Sequence, residues 1–121
     1  MEYADFSFPT DIFLENVDGT SDTPLGVNWD TANTLAYGDD AVPVLERVLS
    51  RVTSVHAAET AERGTLEPVL VGTGLVPFDE MFGMLKGAGF NGWICIEEAS
   101  HQGKAGIKAA TQFVRTAWEE A

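Results

Sequence analysis

Three short apolar runs in this chain each stop on an ionisable side chain. "LGVNW" (25–29) ends against Asp30, "VTSV" (52–55) against His56, and "WICI" (93–96) against Glu97. Runs of four to six residues, rich in β-branched and aromatic side chains, are strand material. The stretches between them carry helical spacing instead. "AVPVLERVLSRV" repeats apolar residues at Val44, Leu45, Val48 and Leu49, with Asp39 or Asp40 as cap and Pro43 in the first turn, where a missing N–H costs nothing. "PFDEMFGMLKGAGF" puts Phe78, Met81, Phe82 and Leu85 on one face and stops at Gly87 and Gly89. "KAGIKAATQFVRTAWEE" turns Ile107, Ala110, Phe113 or Val114, and Trp118 inward. A short helix over "PTDIFLENVDG", capped by Thr10 or Asp11 and stopped by Gly19, precedes the first strand. Residues 60–77 read as loop.

Strands alternating with helices are the pattern of parallel βα units, so the fold class is α/β. The runs look apolar on both faces, as expected when helices cover one side of a sheet and a packed interior the other. No low-complexity segment, linker or internal repeat divides the chain, which reads as one domain over residues 1–121.

Composition narrows the function classes. Asp and Glu outnumber Lys and Arg 19 to 7, for a net charge of −12. That field repels a phosphate backbone and an anionic membrane surface, so neither nucleic acid nor membrane is an expected partner. The 45% hydrophobic content is that of a folded globule. One cysteine, Cys95, cannot form an internal disulfide, and inside "GWICIEE" it reads as a small buried hydrophobe. With no apolar span of membrane length and no basic-then-apolar leader, a cytoplasmic location is expected.

In parallel α/β sheets and barrels the carboxyl ends of the strands carry the site. Asp30, His56 and Glu97 would therefore share one rim. Each alone has a plainer reading, as a helix cap, a loop ion pair or an edge histidine. Together, two carboxylates and an imidazole suit a divalent ion such as Mn²⁺, Mg²⁺, Co²⁺ or Zn²⁺, which would also offset the cost of a buried carboxylate. Trp29 could wall such a pocket. Other signals are decoys. "GTGLVP" (72–77) lacks the third glycine of a dinucleotide fingerprint, and "NVDGTSD" is too short for a calcium loop.

"GVNWDTANTLAYGDD", "VTSVHAAET" and "VGTGLVPFDEMFGMLKGAGFNGWICIEEAS", in this order and spacing, resemble the last part of a sugar phosphate isomerase/epimerase of the xylose isomerase-like TIM barrel superfamily. The resemblance runs from about Glu2 to Trp118. It implies a partial (β/α) barrel and a single metal held by Glu, Asp, His and Glu from the last four strands. Asp30, His56 and Glu97 match three of those places, and Glu2 would take the first. It further implies Asn33 and Arg63 as substrate contacts, Asn33 standing where many relatives have histidine. Glu97 and Glu2 would be the acid/base pair, and a sugar or sugar phosphate the substrate of an isomerisation or epimerisation through an enediolate. Dehydration is a further activity of the same metal cage. His101 and Lys104, beyond the third strand, could line the same rim, but the expectation is that they face solvent.

A whole barrel of this kind has eight strands and about 250 residues. The chain therefore reads as the carboxyl-terminal half of one, with open sheet edges to be closed by a second copy or an amino-terminal half-barrel. The competing expectation is a non-catalytic α/β remnant or interaction module that has kept the fold and lost the pocket.

Overall fold

A computed structural model describes residues 8–121. Its elements, in chain order, are α1 (Phe8–Gly19), β1 (Val27–Asp30), α2 (Asn33–Ala36), α3 (Ala41–Val48), β2 (Val52–Ala57), α4 (Phe78–Gly87), β3 (Trp93–Ile96) and α5 (Gly103–Glu120). A 3₁₀ turn, Leu49–Arg51, joins α3 to β2. The expected alternation is present, with α2 as the one addition. Thr10 and Asp11 do not cap α1, because the helix is already under way at Phe8. Nor does the Asp40 side chain cap α3; it pairs with Arg63 instead.

The three strands form one parallel sheet in the order β1-β2-β3. Their register decides which side chains share a face. Val27 stands opposite Val52, but Asn28 stands opposite Ser54, so β2 carries one extra residue at that point. Beyond it Trp29 meets Val55 and Asp30 meets His56. Without that irregularity Asp30 would lie beside Val55, and His56 would point to the opposite side. On the far edge His56 pairs with Cys95 and Ala57 with Ile96. Asp30, His56, Cys95 and Glu97 therefore project from one face.

The other face holds the core. Val27, Trp29, Val55 and Ala57 are buried there, against Leu45 and Val48 of α3 and Met81, Phe82 and Leu85 of α4. Fully burying a side chain of this size stabilises the fold by roughly 1.5–3 kcal/mol. Phe82 stacks edge-on against Phe78 and Trp118, and Phe78 against Phe113, which closes α5 onto α4. α1 is tied down from a distance. The Arg51 guanidinium donates to the carbonyls of Val17 and Thr20, carbonyls that a helix end leaves without intrahelical partners.

The expectation that both sheet faces are apolar is not met. β1 and β3 alternate strictly, with Asn28, Trp93, Cys95 and Glu97 exposed on the inner face. Cys95 is accordingly exposed, not a buried hydrophobe. Trp93 is 82% exposed. Short strands bounded by large apolar side chains conceal this alternation in the sequence. Ile107 is also exposed, because α5 buries Gly106, Ala110, Val114 and Ala117 and so turns a different stripe inward. No described helix is long and apolar enough to cross a membrane.

Candidate metal centre

Asp30 ends β1 and starts the turn into α2. Its Oδ1 accepts the backbone N–H groups of Ala32 at 2.9 Å and Asn33 at 3.0 Å. These are the amides that a helix start leaves without partners, so the turn holds the carboxylate in place. Burial is the main influence on its proton affinity and raises the pKa from the ordinary aspartate value. The two amides pull it down, the Glu97 charge pushes it up, and His56 lowers it. A carboxyl group this short of compensation is one that a nearby cation would favour.

His56 follows in register. Its Nδ1 lies 3.7 Å from Glu97 Oε2, and its Nε2 lies 3.5 Å from the Asn28 amide nitrogen. Ser54 Oγ donates to Asn28 Oδ1 at 2.9 Å, which leaves the Asn28 N–H₂ end toward the ring. The Asn28 amide thus meets the ring at Nε2 and Glu97 meets it at Nδ1, and the tautomer sets which of the two nitrogens keeps a lone pair for a cation.

Glu97 follows β3, its own N–H bonded to Ala57 O at 2.9 Å, so the ladder runs on to the level of the site. Glu98 turns away. It accepts the N–H of Ser100 at 3.2 Å and its hydroxyl at 2.8 Å, on the side where α5 begins. That is the opposite-faces arrangement expected of adjacent strand residues.

Asp30, His56 and Glu97 each offer one donor atom, and the three atoms lie within 4.8 Å of one another. Ligands bound about 2.1 Å from a shared ion sit roughly 3–4 Å apart, so small side-chain rotations would close this group on a cation. Two carboxylate oxygens and one imidazole nitrogen, on separate strands of a rigid sheet, fit a hard or borderline divalent ion.

Thr31 locks two of the strand ends together. Its N–H bonds His56 O at 3.0 Å, its hydroxyl donates to Ala58 O at 2.6 Å, and it accepts the Ala58 N–H at 2.9 Å. Thr31 is fully buried. Sequence reasoning missed it, because one threonine after a strand carries no distinguishing signal.

Two cavities flank the group. One of about 200 Å³ is lined by Asn28, Trp29, Asp30, Asn33 and Tyr37, with Thr10 and Phe13 of α1. A smaller one of about 60 Å³ lies between Asp30, Glu97 and the loop residues Ala58, Leu66 and Val69. Asn33 borders both. Trp29 lies in the core on the helix-facing side of β1 and lines the larger cavity. Its buried indole N–H and the Thr10 hydroxyl have no hydrogen-bond partner among the described residues.

Arg63 is held elsewhere. Its guanidinium pairs with Asp40, and it lines neither of these cavities. His101 and Lys104 are exposed, as expected. Glu2 lies outside the described residues.

Residues 7–117 match the family described as xylose isomerase-like TIM barrel. The chain belongs to this family. Among solved structures, a xylose isomerase domain protein from Planctomyces limnophilus is similar at 25% identity and a TM-score of 0.77, over 92% of this chain and 44% of the other. A xylose isomerase domain protein from Alicyclobacillus acidocaldarius subsp. acidocaldarius shares the fold at 17% identity and a TM-score of 0.66, over 88% and 42%. This family member thus spans less than half the length of either structure and forms part of an α/β barrel. Comparison with curated proteins finds no match.

Proposed function

We propose that this chain is the carboxyl-terminal half of a divalent-metal-dependent enzyme that isomerises or epimerises a sugar or sugar phosphate. The observation that carries the reading is the convergence of Asp30, His56 and Glu97 at the carboxyl ends of three parallel strands. A bound divalent ion would hold two neighbouring oxygens of the substrate and stabilise the enediolate formed when the intervening C–H proton leaves.

The chain's own residues divide the remaining work. Asp30 and His56 hold their donor atoms in fixed positions, through the amides of α2 and the Asn28–Ser54 pair. Glu97 lies on the open face and is the group assigned to take and return the proton, with Glu2 as its partner. Asn33 borders both cavities, where its side-chain amide can meet a sugar hydroxyl, and Trp29 walls the larger one. Arg63 would serve as a substrate contact only by leaving Asp40.

The exposed inner face, with Trp93 bare on it, supports a site that works only when further strands cover it. A second copy or an amino-terminal half-barrel would supply them, and light scattering separates the two. A remnant without a pocket is the competing reading, and dehydration the competing chemistry.

Mn²⁺ titration by calorimetry is the first test. Wild type should bind one ion per site, and Asp30→Ala and His56→Ala should each lose that binding. Incubation of aldoses, ketoses and their phosphates in D₂O should then wash deuterium into the carbon beside the carbonyl. Equal Mn²⁺ affinity in all three proteins would leave the remnant reading. Water release without isomerisation would identify a dehydratase.

A further inference from the structure

Glu59 is 3% exposed, lies three residues beyond His56, and takes no part in the group above. Its carboxylate accepts three backbone N–H groups. Oε1 takes those of Thr60 at 3.1 Å and Val76 at 3.0 Å, and Oε2 takes that of Gly72 at 3.1 Å. Three backbone amides turned toward one point make an anion-binding concavity, two of them from the stretch 72–76 and one from Thr60. Here the anion is internal, and two of the three amides come from the "GTGLV" motif that fails as a dinucleotide fingerprint.

The glycines follow from this. A Cβ on Gly74 would lie 2.6 Å from Glu59 Oε1 and collide with the Thr60 carbonyl, so only glycine lets the loop approach the carboxylate. Gly72 has φ +97°, and a Cβ there would strike the Phe113 ring at 2.6 Å, so this turn also rests on α5.

Thr60, the next residue, binds the other half of the loop. Its buried hydroxyl shares its one proton between the carbonyls of Glu62 at 3.1 Å and Thr65 at 3.2 Å, and accepts the Glu67 N–H at 3.1 Å. Leu66, Pro68 and Val69 wall the smaller cavity beside Asp30 and Glu97; Leu66 lies within the Thr60 fastening, and Pro68 and Val69 lie between it and the Glu59 one.

We propose that Glu59 is a positioning residue, whose carboxylate fills the amide concavity of residues 60, 72 and 76 and thereby sets the loop wall of the metal-centre crevice. Its effect on metal rests on the reading of that centre given above; its effect on the loop does not.

The test uses the intact protein and Glu59→Ala, which leaves an anion-sized hole facing three N–H groups. Amide hydrogen exchange at Gly72 and Val76 should quicken by about 100-fold while β2 and α4 keep their protection. About 100 mM acetate should restore that protection and raise the variant's Tm by about 3 °C or more, whereas chloride should not and wild type should not respond. Mn²⁺ affinity should fall about tenfold and recover with acetate. Unchanged exchange, or a variant indifferent to acetate, would overturn the proposal. Were wild type itself to bind no Mn²⁺, the metal reading would fail, and the exchange and acetate results would still judge Glu59. If Glu59→Ala does not fold, wild type decides. The amides of Thr60, Gly72 and Val76 should then exchange with one common opening free energy, and three unrelated rates would overturn the proposal.

Discussion

Replacing Asp30 by asparagine should invert the order of stabilities depending on whether metal is present. Asparagine keeps the Oδ1 that accepts the Ala32 and Asn33 amides, so the turn into α2 survives. What disappears is a charge that burial penalises and that Glu97 repels. With donor atoms within 4.8 Å of each other, that repulsion is about 3.5 kcal/mol at an effective dielectric of 20 and about 0.9 in water. The Glu97 side chain is 60% exposed, so the lower figure is the better guide and the variant should gain about 1 kcal/mol. In EDTA its Tm should rise by about 4 °C. Manganese at about 100 times its Kd should add about 2.7 kcal/mol to wild type, roughly 10 °C, and almost nothing to the variant. Circular-dichroism melts of both proteins, with EDTA and with Mn²⁺, give all four values. A variant that melts below wild type in EDTA would show that the Asp30 charge is well compensated within the fold. A variant that gains as much from Mn²⁺ as wild type would remove Asp30 from the ligand set.

The pH dependence follows from the same carboxyl. Because folding raises the Asp30 pKa, its contribution to stability is full below the unfolded-chain value and is lost as pH rises through the folded one. In EDTA, the Asp30→Asn advantage should therefore vanish at low pH and grow through that window, and urea melts across a pH series measure it. Mn²⁺ affinity should move the opposite way, weakening as the pH falls and Asp30 takes its proton, which calorimetry at several pH values reads. Thr31→Val, equal in shape, should cost about 1–3 kcal/mol by stranding both backbone groups of Ala58, seen as a lower urea midpoint with unchanged slope. Phe82→Ala should cost about 3–5 kcal/mol by the same assay, since the ring is fully buried between Phe78 and Trp118.

Legibility differed from element to element for physical reasons. The helical face of Phe78, Met81, Phe82 and Leu85 was readable because a 3.6-residue period survives in the bare sequence, and all four side chains are buried. Ile107 misled for the converse reason. In α5 the stripe turned inward is Gly106, Ala110, Val114 and Ala117, whose small residues let the helix pack closely, and Ile107 lies just outside it. Cys95 and Trp93 misled because four-residue strands are too short to separate alternation from a continuous apolar run. Arg63 could not be placed from sequence, since its partner Asp40 is 23 positions away.

Local chemistry written along the chain sufficed for the α/β class and marked the three ionisable residues at the strand ends, although β2 runs on through His56 to Ala57. Strand order and register were not encoded locally. A single extra residue in β2 decides that Asp30 and His56 face the same way, and that pairing depends on contacts between segments more than twenty positions apart. The Glu59 concavity is of the same kind. Amides from residues 60, 72 and 76 meet at one carboxylate only after the loop has folded back on itself, and no spacing in the sequence marks where backbone N–H groups will point.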